Sequence, residues 1–188
     1  MTSLPREESP AREGRGVGLL LVFVLIGAAV SVGLGVFGKY HAPATAPTLG
    51  FADLVTMKVT LASVTGGLGL VQVLTALRMY GRIGHGQASR GVSLAHRISG
   101  VAAVVVSLPV AFACLWALGF GTYSPRVVAH SLAGCAFYGV FVAKMLTLRS
   151  SRVPAWALPL LGGLLFTVLV VIWLTSAMWV FAGGGPGY

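Results

Sequence analysis

Acidic side chains are nearly missing from this chain. Only four of its 188 residues are Asp or Glu. Glu7, Glu8 and Glu13 stand together near the amino terminus, which leaves Asp53 as the one acid beyond them. Paired-carboxylate chemistry is thereby excluded, and serine with histidine has no acid to orient it as a hydrolase triad requires. Charge of either sign is scarce: 9% of residues are charged, against about a quarter in a soluble domain. Cysteine is scarce too. Cys114 and Cys135 are too few for a disulfide framework. They fall in neighbouring apolar runs, where a bridge is geometrically conceivable and small apolar packing is the ordinary role. No zinc spacing, phosphate loop or nucleic-acid motif occurs. Despite a formal net charge of +9, neither soluble-type catalysis nor nucleic-acid binding is expected.

What is present is apolar sequence. The chain is 56% hydrophobic with a mean hydropathy of +0.90, so we expect an all-α integral membrane protein, a five-transmembrane-helix bundle. Residues 1–16 are polar and proline-containing, an expected disordered cytoplasmic tail. Residues 17–37 form an apolar run of bilayer length. That run exceeds the ~7–15 residues of a signal-peptide core, and Pro47 would follow the cleavage-like Ala44-Thr45-Ala46, so it is expected to be retained. Further spans are expected at about 54–77, 92–120, 125–148 and 155–181, with a flexible tail at 183–188. Gly27, Ser31 and Gly35, spaced by four, make a small-residue stripe that admits a neighbouring helix. Gly66, Gly67 and Gly69 mark close packing in the second span. Pro109 is expected to kink the third, and Trp156 and Trp179 to anchor the fifth at its two ends.

The basic residues set an orientation. With the amino terminus in the cytoplasm, inner segments hold Arg6, Arg12, Arg15, Arg78, Arg82, Arg90, Arg149 and Arg152, and outer segments only Lys39 and Arg126. The positive-inside rule then predicts a multi-pass protein of the cell (plasma or inner) membrane with its carboxyl terminus outside.

Ionisable groups inside apolar spans are costly and mark candidate sites. His96 and His130 each begin an apolar segment and are followed four residues later by Gly100 and Gly134. Glycine one turn on, on the same face, leaves bare backbone against which a flat ring can lie or a helix can pack. The two histidines sit at opposite ends of antiparallel spans, so they cannot share one haem. Lys144 lies about 21 Å of helix beyond His130, which returns it to the level of His96. At the outer level Met57, Met178 or His41 could supply a second axial ligand, and at the inner level Met145, Met79 or His85. Lys58 and Arg126 outside, and Arg97 and Lys144 inside, could pair haem propionates. The position about 25 Å above His96 that would suit a partner for His130 is Ala113. The bland alternative makes the histidines interfacial, the glycines packing residues, and the lysines snorkelling side chains.

The runs Leu74-Thr-Ala-Leu-Arg-Met-Tyr-Gly-Arg82, Ala95-His-Arg-Ile-Ser-Gly100, His130-Ser-Leu-Ala-Gly-Cys-Ala-Phe-Tyr-Gly139 and Trp173-Leu-Thr-Ser-Ala-Met-Trp179 resemble a family of small, functionally unassigned bacterial membrane proteins over roughly residues 50–182. The resemblance implies the five-span fold and carries no activity. In that family a histidine is expected near position 113, so Ala113 is a departure. The His-Arg-x-Ser-Gly segment is more distantly similar to the haem-ligating helices of transmembrane b-type cytochromes. That second likeness implies haem b at His96 and His130 and an electron-transfer subunit working with a membrane or redox protein partner. A non-catalytic assembly subunit, packed through its glycine stripes, is the alternative. A small transporter or proton pathway through Lys58, the histidines and Lys144 is the third, with no intramembrane carboxylate or internal repeat to support it.

Overall fold

The structure of the chain, a computed structural model, describes residues 10–41 and 44–184. Among the described residues every regular element is helical: α1 (Pro10–Tyr40), α2 (Leu54–Met79), α3 (Arg90–Phe112), α4 (Pro125–Leu148), α5 (Ala157–Thr175) and the short α6 (Ala177–Phe181). Five helical segments are long and apolar enough to cross a membrane: Gly14–Tyr40, Leu54–Met79, Arg90–Leu118, Pro125–Leu148 and Ala157–Phe181. Side-chain caps start three of the helices. Ser89 accepts the Val92 N–H at 3.4 Å, and Ser124, just before Pro125, accepts the Val127 N–H at 3.3 Å. Asp53 caps α2, accepting the Thr56 N–H at 2.9 Å and the Thr56 hydroxyl at 2.8 Å. Those bonds, the backbone one foremost, hold the Asp53 carboxyl below its ordinary value of 3.8. A depressed carboxyl stabilises the fold above that ordinary value, and the contribution disappears as pH falls through the lower, folded value.

Three boundaries differ from those read off the apolar runs. Helix α1 begins at Pro10, so the expected tail over 1–16 is helical from residue 10; residues 1–9, and 185–188 of the carboxyl-terminal tail, lie outside the described residues. Ala11, Arg12, Glu13 and Arg15 are good helix formers and carry the helix past its apolar run. The third segment does not stay α-helical. After Pro109, which has no N–H to donate, the helix widens into a π-helical stretch at Ala113–Leu118 that ends at Gly119, with φ +73°. The fifth breaks at Ser176 (φ −123°, ψ −84°), whose hydroxyl turns back to the Ile172 carbonyl at 2.6 Å.

Consecutive helices run antiparallel. Helix α1 lies against α4, α2 against α3, and α4 against α5, with lighter contact from α2 to α5 and α6. We call "upper" the end holding the π-helical stretch and the start of α4, and "lower" the end holding the α2–α3 and α4–α5 connectors. The interfaces are built from small residues. A Cβ on Gly27 would run into the Gly139 carbonyl, and one on Gly139 into the Gly27 carbonyl and the Ser31 hydroxyl. About two turns above Gly27, the same stripe sets Gly35 against Cys135, with 3.8 Å from a Cβ there to the thiol. On α2, Gly69 is the tight position, where a Cβ would come within 2.7 Å of Leu169 Cδ2; a Cβ on Gly66 would meet Trp173 at ordinary contact and one on Gly67 would meet open space. Helix α3 buries Ser99, Ala103 and Ser107, and turns Ile98, Val101, Val105, Leu108 and Phe112 outward. That is the reverse of a helix facing water.

The α1–α4 contact gives a clear expectation. Gly139→Ala should destabilise the protein by about 1–3 kcal/mol, because the added methyl meets backbone that cannot rotate away. Gly163→Ala, at a position with open space around it, should change stability by no more than about 0.5 kcal/mol. Thermal unfolding of both variants in detergent measures the difference; equal midpoints would show that the close approach contributes nothing.

Candidate functional site

The two histidines lie at opposite ends, and each is held by a threonine of the neighbouring helix. At the lower end His96 Nδ1 is 2.8 Å from the Thr75 hydroxyl, and that hydroxyl is 2.6 Å from the Val71 carbonyl. At the upper end His130 Nδ1 is 3.1 Å from the Thr175 hydroxyl, itself 2.6 Å from the Val171 carbonyl. A threonine has one hydroxyl proton, and its own helix takes it. Each hydroxyl therefore accepts from the imidazole, which places the ring proton on Nδ1 and leaves Nε2 bare. The tautomers are assigned from these networks.

The lower level is closed. The Gln72 amide donates to the His96 carbonyl and, at 2.7 Å, to the Ser99 hydroxyl. Its atoms stand 3.2–3.4 Å from where a Cβ on Gly100 would be, so the room expected beside Gly100 is already taken. Arg97 is exposed, and Lys144 is half-buried beside Gly162 and close enough to act electrostatically on His96. His85 belongs to the α2–α3 connector, whose carbonyls wrap Arg78: Gly86 at 2.9 Å and His85 at 2.8 Å. Met79 accepts from Ser93 at 3.7 Å instead of facing His96.

The upper level is open. Helices α3 and α4 follow one another in the chain yet are not backed onto each other. Between them, with walls completed by α2 and α5, lies a cavity of about 200 Å³. His130, Lys58, Arg126 and Cys114 line it, and the Ser107–Tyr138 hydroxyl pair, 2.9 Å apart, crosses it further down. Most of the remaining wall is apolar, including Leu115, Phe137, Leu169 and Ile172. Gly134 is on this wall with nothing within 4 Å of a Cβ placed there. Arg126 donates to the Thr175 carbonyl at 2.6 Å and lies 4.6 Å over the Trp179 ring, so it fastens the start of α4 to the end of α5. His130 Nε2 is 4.0 Å from the Cys114 thiol.

Several sequence expectations separate here. His130, Gly134 and Lys58 are brought together. Met57 is packed away at 1% exposure and Met178 is 43% exposed, and neither lines the cavity. His41 stacks on Phe37 (4.8 Å) and lies tilted against Trp116 (4.2 Å). Ala113 is buried at 1% exposure, and it is the next residue, Cys114, that reaches His130. Among the described residues no three His, Cys, Asp or Glu side chains converge on one point, and the two cysteines are free. Thr75, Thr175 and Gln72 carry no local sequence signal, because each acts across a helix pair; a threonine level with each histidine on the adjacent antiparallel span was the only trace available.

The chain belongs to a family of unknown function (DUF6529), whose model matches residues 20–186. That span takes in α1 from residue 20 onward and the other four long helices whole, a wider stretch than the motifs alone. No curated protein and no solved structure matches the chain.

The closed lower level makes its own expectation. Gln72→Leu removes the donor to His96 and Ser99 across α2 and α3, and should cost about 0.5–1.5 kcal/mol of stability. Unfolding of the purified variant in detergent measures it. An unchanged midpoint would mean that the amide merely fills space.

Proposed function

We propose that this chain is a multi-pass membrane protein whose upper cavity binds an amphipathic molecule with an apolar tail and an anionic or acceptor-rich head. One observation carries the proposal. A mostly apolar cavity gathers Lys58, Arg126 and His130 at one level, with no acidic side chain in its lining to neutralise them. Cations held in a low-dielectric wall favour an anionic head, and the apolar remainder suits a hydrocarbon tail. The outward Val, Leu and Ile stripe of α3 and the apolar length of the helices support placement in a bilayer. The excess of arginine in one set of connectors supports a plasma- or inner-membrane orientation with the amino terminus cytoplasmic.

A second reading is favoured by the empty space at Gly134. Haem b could be held there by the His130 imidazole, with Lys58 and Arg126 on the same wall for its propionates. The Nδ1 bond to Thr175 would orient the ring, as ligating histidines require. When bound, the haem supplies one-electron transfer, and the chain would act with a membrane or redox partner. The lower level does not fit the group, since Gln72 fills the place beside Gly100.

Two measurements test these readings. A dibrominated fatty acid should quench a saturable part of the tryptophan fluorescence, a part lost in Trp179→Phe because Trp179 lines the cavity. Lys58→Gln should weaken that binding roughly tenfold, or about 1.4 kcal/mol. Quenching that never saturates and ignores Lys58→Gln would refute the cavity site. For haem, protein from haem-replete cells should show a Soret band that shifts on reduction and is lost in His130→Ala while His96→Ala retains it. A sample with no Soret absorption removes that reading and leaves the first intact.

A further inference from the structure

Cys114 faces the cavity and plays no part in holding an anionic head. Its position is unusual. It is the second residue of the π-helical stretch, where i→i+5 hydrogen bonds widen the turn and change which residues point inward; such turns recur at functional sites. Its thiol stands 4.0 Å from His130 Nε2, the long end of an S–H···N hydrogen bond. That nitrogen is bare, because Thr175 has fixed the ring proton on Nδ1. The order is therefore thiol, imidazole, orienting hydroxyl, which is the nucleophile, base and orienter arrangement of covalent catalysis, with a separation in the looser range of unliganded sites. His96 and Thr75 repeat the last two members at the lower end, with no cysteine there. Lys58 lines the same cavity, and its ammonium is the group there that could meet charge on a reacting carbonyl oxygen.

We infer that Cys114 and His130 form a nucleophilic pair that accepts the acyl group of an acyl thioester seated in the cavity. The inference rests on the amphiphile-binding reading. His130 Nε2 takes the thiol proton and Cys114 Sγ bonds to the carbonyl carbon, whose π electron pair moves onto the oxygen, facing Lys58. The carbonyl re-forms as the bond from that carbon to the donor sulfur breaks, and the departing thiolate takes the proton from Nε2. One C–S bond is made and one broken, with no net redox change. Thr175 is a positioning residue.

The test uses the full-length protein in detergent, octanoyl-N-acetylcysteamine as the donor, and peptide mass spectrometry to locate the octanoyl group. Cys114 should be acylated and Cys135 not: both line the cavity, but the Cys135 thiol packs toward Gly35, and among the described residues it is Cys114 that an imidazole meets. His130→Ala should slow the reaction about 10²-fold or more. Should that variant fail to fold, Thr175→Val keeps the imidazole but not its orientation; it should slow acylation by a smaller factor, and Thr175→Ser should restore the rate. Equal labelling of Cys114 and Cys135, or rates indifferent to His130 and Thr175, would overturn the pair. Brominated fatty acid binding without acylation overturns the pair and spares the cavity reading. Neither binding nor acylation overturns both.

Discussion

The contact on which the rest of this structure depends is the one between backbone and backbone at Gly27 and Gly139. With no Cβ on either side, α1 and α4 meet at a distance that no other residue pair would permit. Van der Waals contact of this kind is what holds helices together when the surroundings are as apolar as their side chains. The consequence runs through every helix. Large apolar residues are free to face outward, as Val101 and Val105 do, and small or hydroxyl-bearing ones such as Ser99, Ala103 and Ser107 are left to face in. An interior made from small residues is narrow where helices touch and hollow where they do not. The cavity lies where α3 and α4 stand apart.

The hollow is shaped by two interruptions of regular helix that cooperate. Pro109 withdraws a donor from the ladder of α3, and four residues later the helix re-forms with a wider turn. That turn is secured from outside: the Trp116 carbonyl accepts the Ala44 N–H at 3.1 Å, and Phe120, just past Gly119, donates to the Gly38 carbonyl at 2.8 Å. A Cβ on Gly119 would come within 2.7 Å of that same carbonyl. The end of α1 thus grips the end of the third segment and holds it away from α4. On the opposite wall α5 breaks at Ser176, and the carbonyl exposed near the break, that of Thr175, is taken by Arg126.

Much of this was legible in the sequence, and the boundary of legibility is physical. Apolar run length located the five helices, since hydrocarbon thickness and helical rise determine it. The four-residue spacing of Gly27, Ser31 and Gly35 located the α4-facing stripe. Those properties belong to one helix at a time. The π-helical stretch, the break at Ser176 and the threonines that hold the histidines depend on neighbours far along the chain, and local pattern is silent about them. The expectation for Met57 and Met178 went astray for the same reason: height along a helix was known, but the direction each side chain faces was not.

The two ends show how little of a site's chemistry its central residue determines. His96 and His130 have the same glycine at i+4, the same bond from Nδ1 to a threonine, and the same return of that hydroxyl to its own helix. What differs is the surroundings. At the lower end Gln72 spans the glycine and knits α2 to α3, so the polar group is absorbed into packing. At the upper end no side chain spans Gly134, and the imidazole's free edge meets a thiol beside two cations. A buried polar group that is fully satisfied rigidifies a fold, whereas one with an open coordination position retains capacity for a ligand or a proton. By that criterion His96 is absorbed into packing and His130 keeps an open edge, although the sequence around them reads almost alike.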